Sequence, residues 1–155
     1  MTPLYATIVA EARVPGWYLD GVPDTTDGRF DMVASVLSLV LLRLERDDTD
    51  TRQAQALLAE TFVDDMDGAL RQMGIGDLMV GKHVGRMMGA LGGRLSAFKA
   101  ALAGQGDLAA AIRRNIFRDE ATPEVAVIAV EARLRALAGR IEATPLPDVL
   151  AGRIA

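Results

Sequence analysis

The chain offers little for reactive chemistry. Its 155 residues include one histidine, His83, and no cysteine. Disulfide scaffolds, thiolate zinc sites and cysteine nucleophiles are thereby excluded. One imidazole cannot build a multi-histidine metal centre. His83 lies in the first turns of a helical segment with nothing to orient it as a base, and it reads as a surface residue. The best carboxylate group is Asp64, Asp65 and Asp67. On a helix, positions 64 and 67 share a face while 65 points elsewhere. A carboxylate-based metalloenzyme on Asp64 and Asp67 would need further ligands from a second helix, and a solvated acidic face is the simpler reading. Gly74-Ile75-Gly76-Asp77 lacks the Lys and Ser/Thr of a phosphate loop. No catalytic residue, metal ligand set or cofactor motif emerges.

Two features could act by contact instead. The segment Trp17-Tyr18-Leu19-Asp20-Gly21-Val22-Pro23-Asp24-Thr25-Thr26-Asp27-Gly28-Arg29-Phe30-Asp31-Met32 holds the single Trp, one of two Tyr and four carboxylates. Such a segment is either a folded cap over the core or a recognition surface. The second feature is Gly81, Gly85, Gly89 and Gly93, a four-residue spacing continued by Ala97 and Ala101. Each interior glycine costs a helix about 1 kcal/mol relative to Ala. Close approach of another helix is the usual compensation. Steps of four residues wind this small-residue stripe round the helix, which suits a partner crossing at an angle. Packing against the helix that begins at Gly28 is the expected arrangement; an open groove for a client helix is the alternative.

The elements that position these residues are helical. Thr2-Pro3 reads as N-cap and first helical residue, opening a helix to about Arg13. Pro15-Gly16 stops it, and a loop runs from Trp17 to Asp27. Thr26 or Asp27 caps a helix from about Gly28 to Arg46. It is apolar almost all round, so it belongs at the centre of a bundle. Its polar residues Asp31, Ser35, Ser38 and Glu45 form one narrow stripe. The next helix starts near Thr51, with a core stripe of Ala54, Leu57, Leu58, Phe62, Met66, Leu70 and Met73. Gln53, Glu60, Asp64, Asp67 and Arg71 lie opposite, with Asp67–Arg71 an i,i+4 ion pair. Gly74 and Gly76 end that helix, and Asp77 caps another from Leu78 to about Ala103. Gly104 and Gly106 terminate it. Asp107 caps a short helix to about Phe117, Thr122-Pro123 opens one to about Ile141, and Pro145 and Pro147 bound a final turn. The expected fold is all-α, an irregular bundle of about six helices in a single domain, 1–155.

Charge is unevenly spread. The net charge is −4. Residues 1–77 carry 14 acidic and 6 basic side chains, while residues 78–155 carry 7 acidic and 11 basic. Between Leu78 and Arg118 stand Lys82, Arg86, Arg94, Lys99, Arg113, Arg114 and Arg118 against Asp107 alone. This stretch either balances the acidic half within the fold or faces phospholipid heads, RNA or an acidic partner. The longest near-uncharged apolar run, Met32 to Leu42, is too short for a bilayer, which needs about 20 residues. The N-terminus reads as neither signal peptide nor presequence. A cytoplasmic protein is expected, with peripheral contact at the inner membrane as an allowance.

The Trp17–Met32 block, together with Asp65-Met66-Asp67, Leu70-Arg71-Gln72-Met73-Gly74-Ile75-Gly76-Asp77 and Val80-Gly81-Lys82, resembles the ubiquinol–cytochrome c chaperone family. The order is similar too: a Tyr5-containing helix, these two blocks, then Arg94-Leu95 and Arg113-Arg114-Asn115. The resemblance spans about Leu4 to Arg118 and leaves the helix and tail at 122–155 aside. It implies a bacterial, helical, non-enzymatic assembly factor for respiratory complex III, without cofactors, that binds newly made cytochrome b. Ribosome contact, known of mitochondrial relatives, belongs to the same implication; membrane-surface contact would come from the basic 78–118 segment, and no DNA partner is implied. The matching motif positions are Trp17, Tyr18, Asp24, Asp27, Arg29, Phe30, Asp31, Asp67, Arg71, Gly76, Asp77 and Lys82. Some of these are expected to be structural: Phe30 as core, Asp27 and Asp77 as caps, and an Arg29–Asp67 ion pair joining the blocks. The alternative is a peripheral protein that binds anionic lipid through the basic segment.

Overall fold

The computed structural model describes residues 2–155. They form α1 (Pro3–Ala12), α2 (Pro15–Leu19), α3 (Thr26–Glu45), α4 (Arg52–Gln72), α5 (Asp77–Leu102), α6 (Leu108–Asn115), α7 (Glu124–Ala143) and α8 (Leu146–Leu150). No strand occurs among the described residues. The all-α bundle is as expected, with six helices of two turns or more and two five-residue turns of helix. Of these two, α8 matches the final turn anticipated after Pro145. The other, α2, replaces the start of the expected loop: Pro15 does not break the chain but opens α2 at its first position, where a missing N–H costs nothing.

Every residue from Asp31 to Leu42 is buried, so α3 is the central helix that its apolarity implied. It packs on α1, α4, α5 and α7, while α6 bridges α5 and α7. Its two mid-helix serines stay satisfied by bonding back one turn, Ser35 Oγ to the Asp31 carbonyl and Ser38 Oγ to the Ala34 carbonyl, each 2.7 Å. Large side chains from every layer fill the core around it, among them Tyr5, Trp17, Leu37, Phe62, Phe98, Ile112 and Leu134.

The helix ends follow local chemistry. Thr2 caps α1 through the Tyr5 N–H at 3.3 Å and Asp107 caps α6 through Ala110. The cap of α3 is one residue earlier than expected: Thr25 Oγ1 accepts from the Gly28 N–H at 3.0 Å, and Asp27 sits within the first turn. Asp77 is likewise no cap. Gly76 holds that position and Asp77 is the first residue of α5. Gly74 (φ +81°) and Gly104 (φ +77°) close α4 and α5 in paired backbone bonds, Ile75 N–H to the Leu70 carbonyl and Gln105 N–H to the Ala100 carbonyl.

The core stripe of α4 is narrower than its sequence suggested. Leu58, Phe62, Met66 and Leu70 are buried, but Leu57 and Met73 are half exposed. The glycine stripe of α5 departs further. Gly81, Gly85, Gly89 and Gly93 are all exposed, and nothing lies within 4 Å of where a side chain would project. α5 does pack on α3, and on α4 and α6, but the side chains it buries include Leu91, Arg94, Phe98 and Ala101. Gly28 is the opposite case, since a Cβ there would overlap the Pro23 carbonyl. Two alanine substitutions test this contrast by urea unfolding. Gly28→Ala should lose about 1–3 kcal/mol. Gly89→Ala should gain up to about 1 kcal/mol, and a loss there would mean that the face is covered in the folded chain.

Candidate functional site

The first motif block is largely built into the fold. Trp17 is buried and donates from Nε1 to the Glu11 carbonyl at 2.9 Å; Tyr18 donates from its hydroxyl to the Ala12 carbonyl at 3.0 Å. Both carbonyls belong to the last turn of α1, where intrahelical donors run out. The two aromatic residues therefore cap α1 from outside. Arg133 of α7 lies over the Trp17 ring, 5.9 Å from its centroid, and bonds Asp20 at 2.8 Å. Burial raises the Tyr18 hydroxyl pKa. The Tyr5 hydroxyl goes up further, through burial first and then through its 2.6 Å bond to Asp65. That bond gives Asp65 a structural partner, while Asp64 faces solvent. Among the described residues no three His, Asp or Glu side chains gather as a metal site.

Asp31 is the most constrained of the motif residues. It is buried in α3 and receives the Arg94 guanidinium from α5 and the Arg118 guanidinium from the α6–α7 connection. Arg118 Nε and Nη2 meet the two carboxylate oxygens at 2.7 and 3.1 Å, a bidentate geometry. Arg94 Nη2 also reaches the Asn115 carbonyl at 3.0 Å. Burial lowers the Arg94 pKa, whereas the bond to Asp31 raises that of Arg118. Arg118 and Asp119 both take left-handed backbone, φ 54° and 56°, which costs a non-glycine residue of order 1 kcal/mol or more. The bonds to Asp31 hold that conformation. Asp27, one turn before Asp31, lies 3.5 Å from Arg118.

The second block lies at the turn between α4 and α5. Arg71 bridges Asp67, at 3.0 Å, and Asp77; these two carboxylates raise its pKa. The i,i+4 pair is as read from spacing. The expected Arg29–Asp67 link is not formed; Arg29 pairs instead with Asp24, at 2.8 Å. What joins the blocks is a groove of about 290 Å³, where Arg29 and Phe30 face Asp65, Met66 and Met73. Phe30 is half buried rather than fully core. Beyond this groove Leu70 and Val80 are buried but stand outside the main core, so the hairpin end has its own small contact. Around it Met73 (54%), Leu78 (93%) and Met79 (48%) are exposed. Gly76, Lys82, Gly81, Gly85 and Gly89 are exposed beside them.

Of the twelve motif positions, Trp17, Tyr18 and Asp31 are thus occupied by structural bonds. Asp67, Arg71, Gly76, Asp77 and Lys82 share the exposed hairpin end. Asp24, Asp27, Arg29 and Phe30 lie along the start of α3. Sequence reading missed Arg94 and Arg118 as the partners of Asp31, and missed Leu78 and Met79 as exposed apolar groups. The cationic run was the one available signal for the arginines. Four of its members do balance acids inside the fold: Arg94 and Arg118 with Asp31, Lys99 with Glu45, and Arg113 with Glu124. His83 is partly covered, and its Nδ1 lies 2.9 Å from Arg86. That neighbour is a cation rather than a carboxylate that could orient a base.

The sequence model described as Ubiquinol-cytochrome C chaperone matches residues 20–155, so the match runs on through α7 and α8. Among solved structures the chain is similar to the crystal structure of the Cbp3 homolog from Brucella abortus. Identity is 31% and the TM-score 0.81, over 99% of this chain and 86% of that one. No curated protein matches significantly.

The Asp31 network makes a stability prediction. Asp31→Asn leaves Arg94 buried without a counter-charge and should cost about 3–5 kcal/mol in chemical unfolding. Arg118→Ala removes a half-exposed partner and should cost clearly less. Equal losses would show that Arg94 is not the group Asp31 neutralises.

Proposed function

The chain belongs to the ubiquinol–cytochrome c chaperone family, and from that premise we propose that it is an assembly chaperone for respiratory complex III that holds newly made cytochrome b. The observation that carries this reading is the α4–α5 hairpin end. It exposes Met73, Leu78 and Met79 next to a helix face bare of side chains. A client made of apolar helices needs such a surface. Unbranched methionines adapt to irregular partners, and glycines let a second helix approach the backbone closely. No helix among the described residues is long and apolar enough to cross a membrane.

Within this reading the hairpin residues of the second block act together. Arg71 fixes the turn by holding Asp67 and Asp77, and thereby sets how Leu78 and Met79 are presented. Gly76 keeps the turn slim, and Lys82 supplies a cation at the edge, toward a charged loop of the client, the membrane surface or the ribosome. Along the start of α3, Asp24, Asp27, Arg29 and Phe30 extend the contact across the groove. Trp17, Tyr18 and Asp31 hold the framework. Holding a client needs no reactive side chain, in keeping with a sequence that has one His and no Cys.

Two experiments test the reading. Deletion of the gene should lower complex III while the cytochrome b transcript stays intact; normal complex III spectra would sink it. Photo-crosslinkers at Leu78 and Lys82 should capture cytochrome b in cells, and those at Arg133 and Arg140 should not. Leu78→Glu with Met79→Glu should cut that capture about tenfold with an unchanged melting temperature.

A further inference from the structure

A cleft of about 480 Å³ opens between α3, α5 and α6, and its wall is rich in guanidinium groups. Arg86, Arg94, Arg114 and Arg118 line it, against Asp27 and Asp31. The lining therefore carries a formal excess of two positive charges. Fifteen arginines are present in the chain. Among the described residues twelve form ion pairs, and the three that do not are Arg13, Arg86 and Arg114. Two of the three face this one cleft. Among the described residues the single polar partner of the Arg86 side chain is the His83 ring, and the Arg114 side chain has none.

Arg94 adds an independent observation. It is 6% exposed, its hydrogen bonds all run from Nη2, and its buried Nε has no partner. A buried N–H left unmet is costly. Burial lowers the Arg94 pKa and Asp31 opposes that shift. Asp31 is already divided between Arg94 and Arg118, so it cannot neutralise the other two guanidinium groups. Phe30, Met87 and Ala90 complete the wall with apolar surface.

We propose that this cleft binds an organic phosphate monoester, with the phosphate among Arg86, Arg94 and Arg114 and its apolar body against Phe30 and Met87. A phosphate monoester carries about −1.5 to −2 charges at neutral pH, which matches the excess of two. Its three terminal oxygens can serve several guanidinium groups at once, whereas a carboxylate has two. The site is separate from the Leu78–Met79 surface and does not rest on the client reading. The ester comes either from a soluble metabolite or from the headgroup of a phosphatidate-type lipid.

Calorimetry at constant ionic strength with phenyl phosphate, inorganic phosphate and benzoate tests the proposal. Phenyl phosphate should bind saturably and more tightly than benzoate. Arg86→Ala with Arg114→Ala should weaken it about tenfold or more without altering the melt of the free protein. Arg13→Ala removes the third unpaired arginine, which lies at a different groove, and should change affinity less than about twofold. No saturable binding, equal binding of benzoate, or an equal loss in Arg13→Ala would overturn the proposal. Phosphatidylcholine vesicles with and without phosphatidate separate the sources. Phosphatidate-dependent sedimentation that phenyl phosphate competes away assigns the lipid; phenyl phosphate binding without sedimentation assigns the soluble ester.

Discussion

The arrangement depends on one buried carboxylate. Asp31 is 3% exposed on the largely apolar central helix, and an isolated charge buried there would be costly. Its neutralisation requires Arg94 from α5 and Arg118 from beyond α6 to arrive together. Three elements are thus locked in one relative position by charge, where apolar packing alone would tolerate sliding. The lock also explains a local cost. The left-handed backbone at Arg118 and Asp119 has no glycine to ease it, and it persists because the side chain it delivers completes the pair. A buried ion pair of this kind adds little net stability over apolar packing, but it penalises alternatives strongly.

Around this lock the motif residues divide into those that build the frame and those that remain free. The aromatic pair Trp17–Tyr18 looks at first like a recognition patch. In the fold it closes the end of α1, and Arg133 covers it from α7. The α4–α5 hairpin end is different. Its Asp67, Arg71 and Asp77 side chains shape a turn, and beside buried Leu70 and Val80 it leaves Met73, Leu78 and Met79 exposed. The frame and the exposed end meet at Phe30, which touches both neighbouring clefts.

Much of this was legible in the sequence. The central position of α3 followed from its unbroken apolar surface, and the caps Thr2 and Asp107 from side-chain chemistry at the right offset. The Asp67–Arg71 pair followed from helical spacing. The Asp31 partners were hidden because they lie 63 and 87 residues away, and only topology brings such groups together. The α2 turn was missed because a proline that ends one helix can begin the next. The glycine stripe faces solvent and not α3, so of its two expected arrangements the internal packing is not formed. Its spacing suits a close helix neighbour equally well whether that neighbour is inside the fold or outside it. The sequence of α5 alone does not say that Leu91, Arg94, Phe98 and Ala101 are buried while its glycines face solvent. Leu57 and Met73 fit the periodic stripe of α4, yet that stripe extends past the neighbours available to cover it.

The exposed glycines give α5 two halves of different thermodynamic character. From Arg94 to Leu102 the helix is tied down by an ion pair, Phe98 and close packing. From Gly81 to Gly93 the helix has poor intrinsic propensity, and its packing rests on buried Leu91 with Met87 and Met88 partly covered. Backbone amides in the first half should therefore open to solvent exchange at a much lower free energy than those in the second. Opening of the first half would leave the second anchored to the core through Arg94 and Phe98.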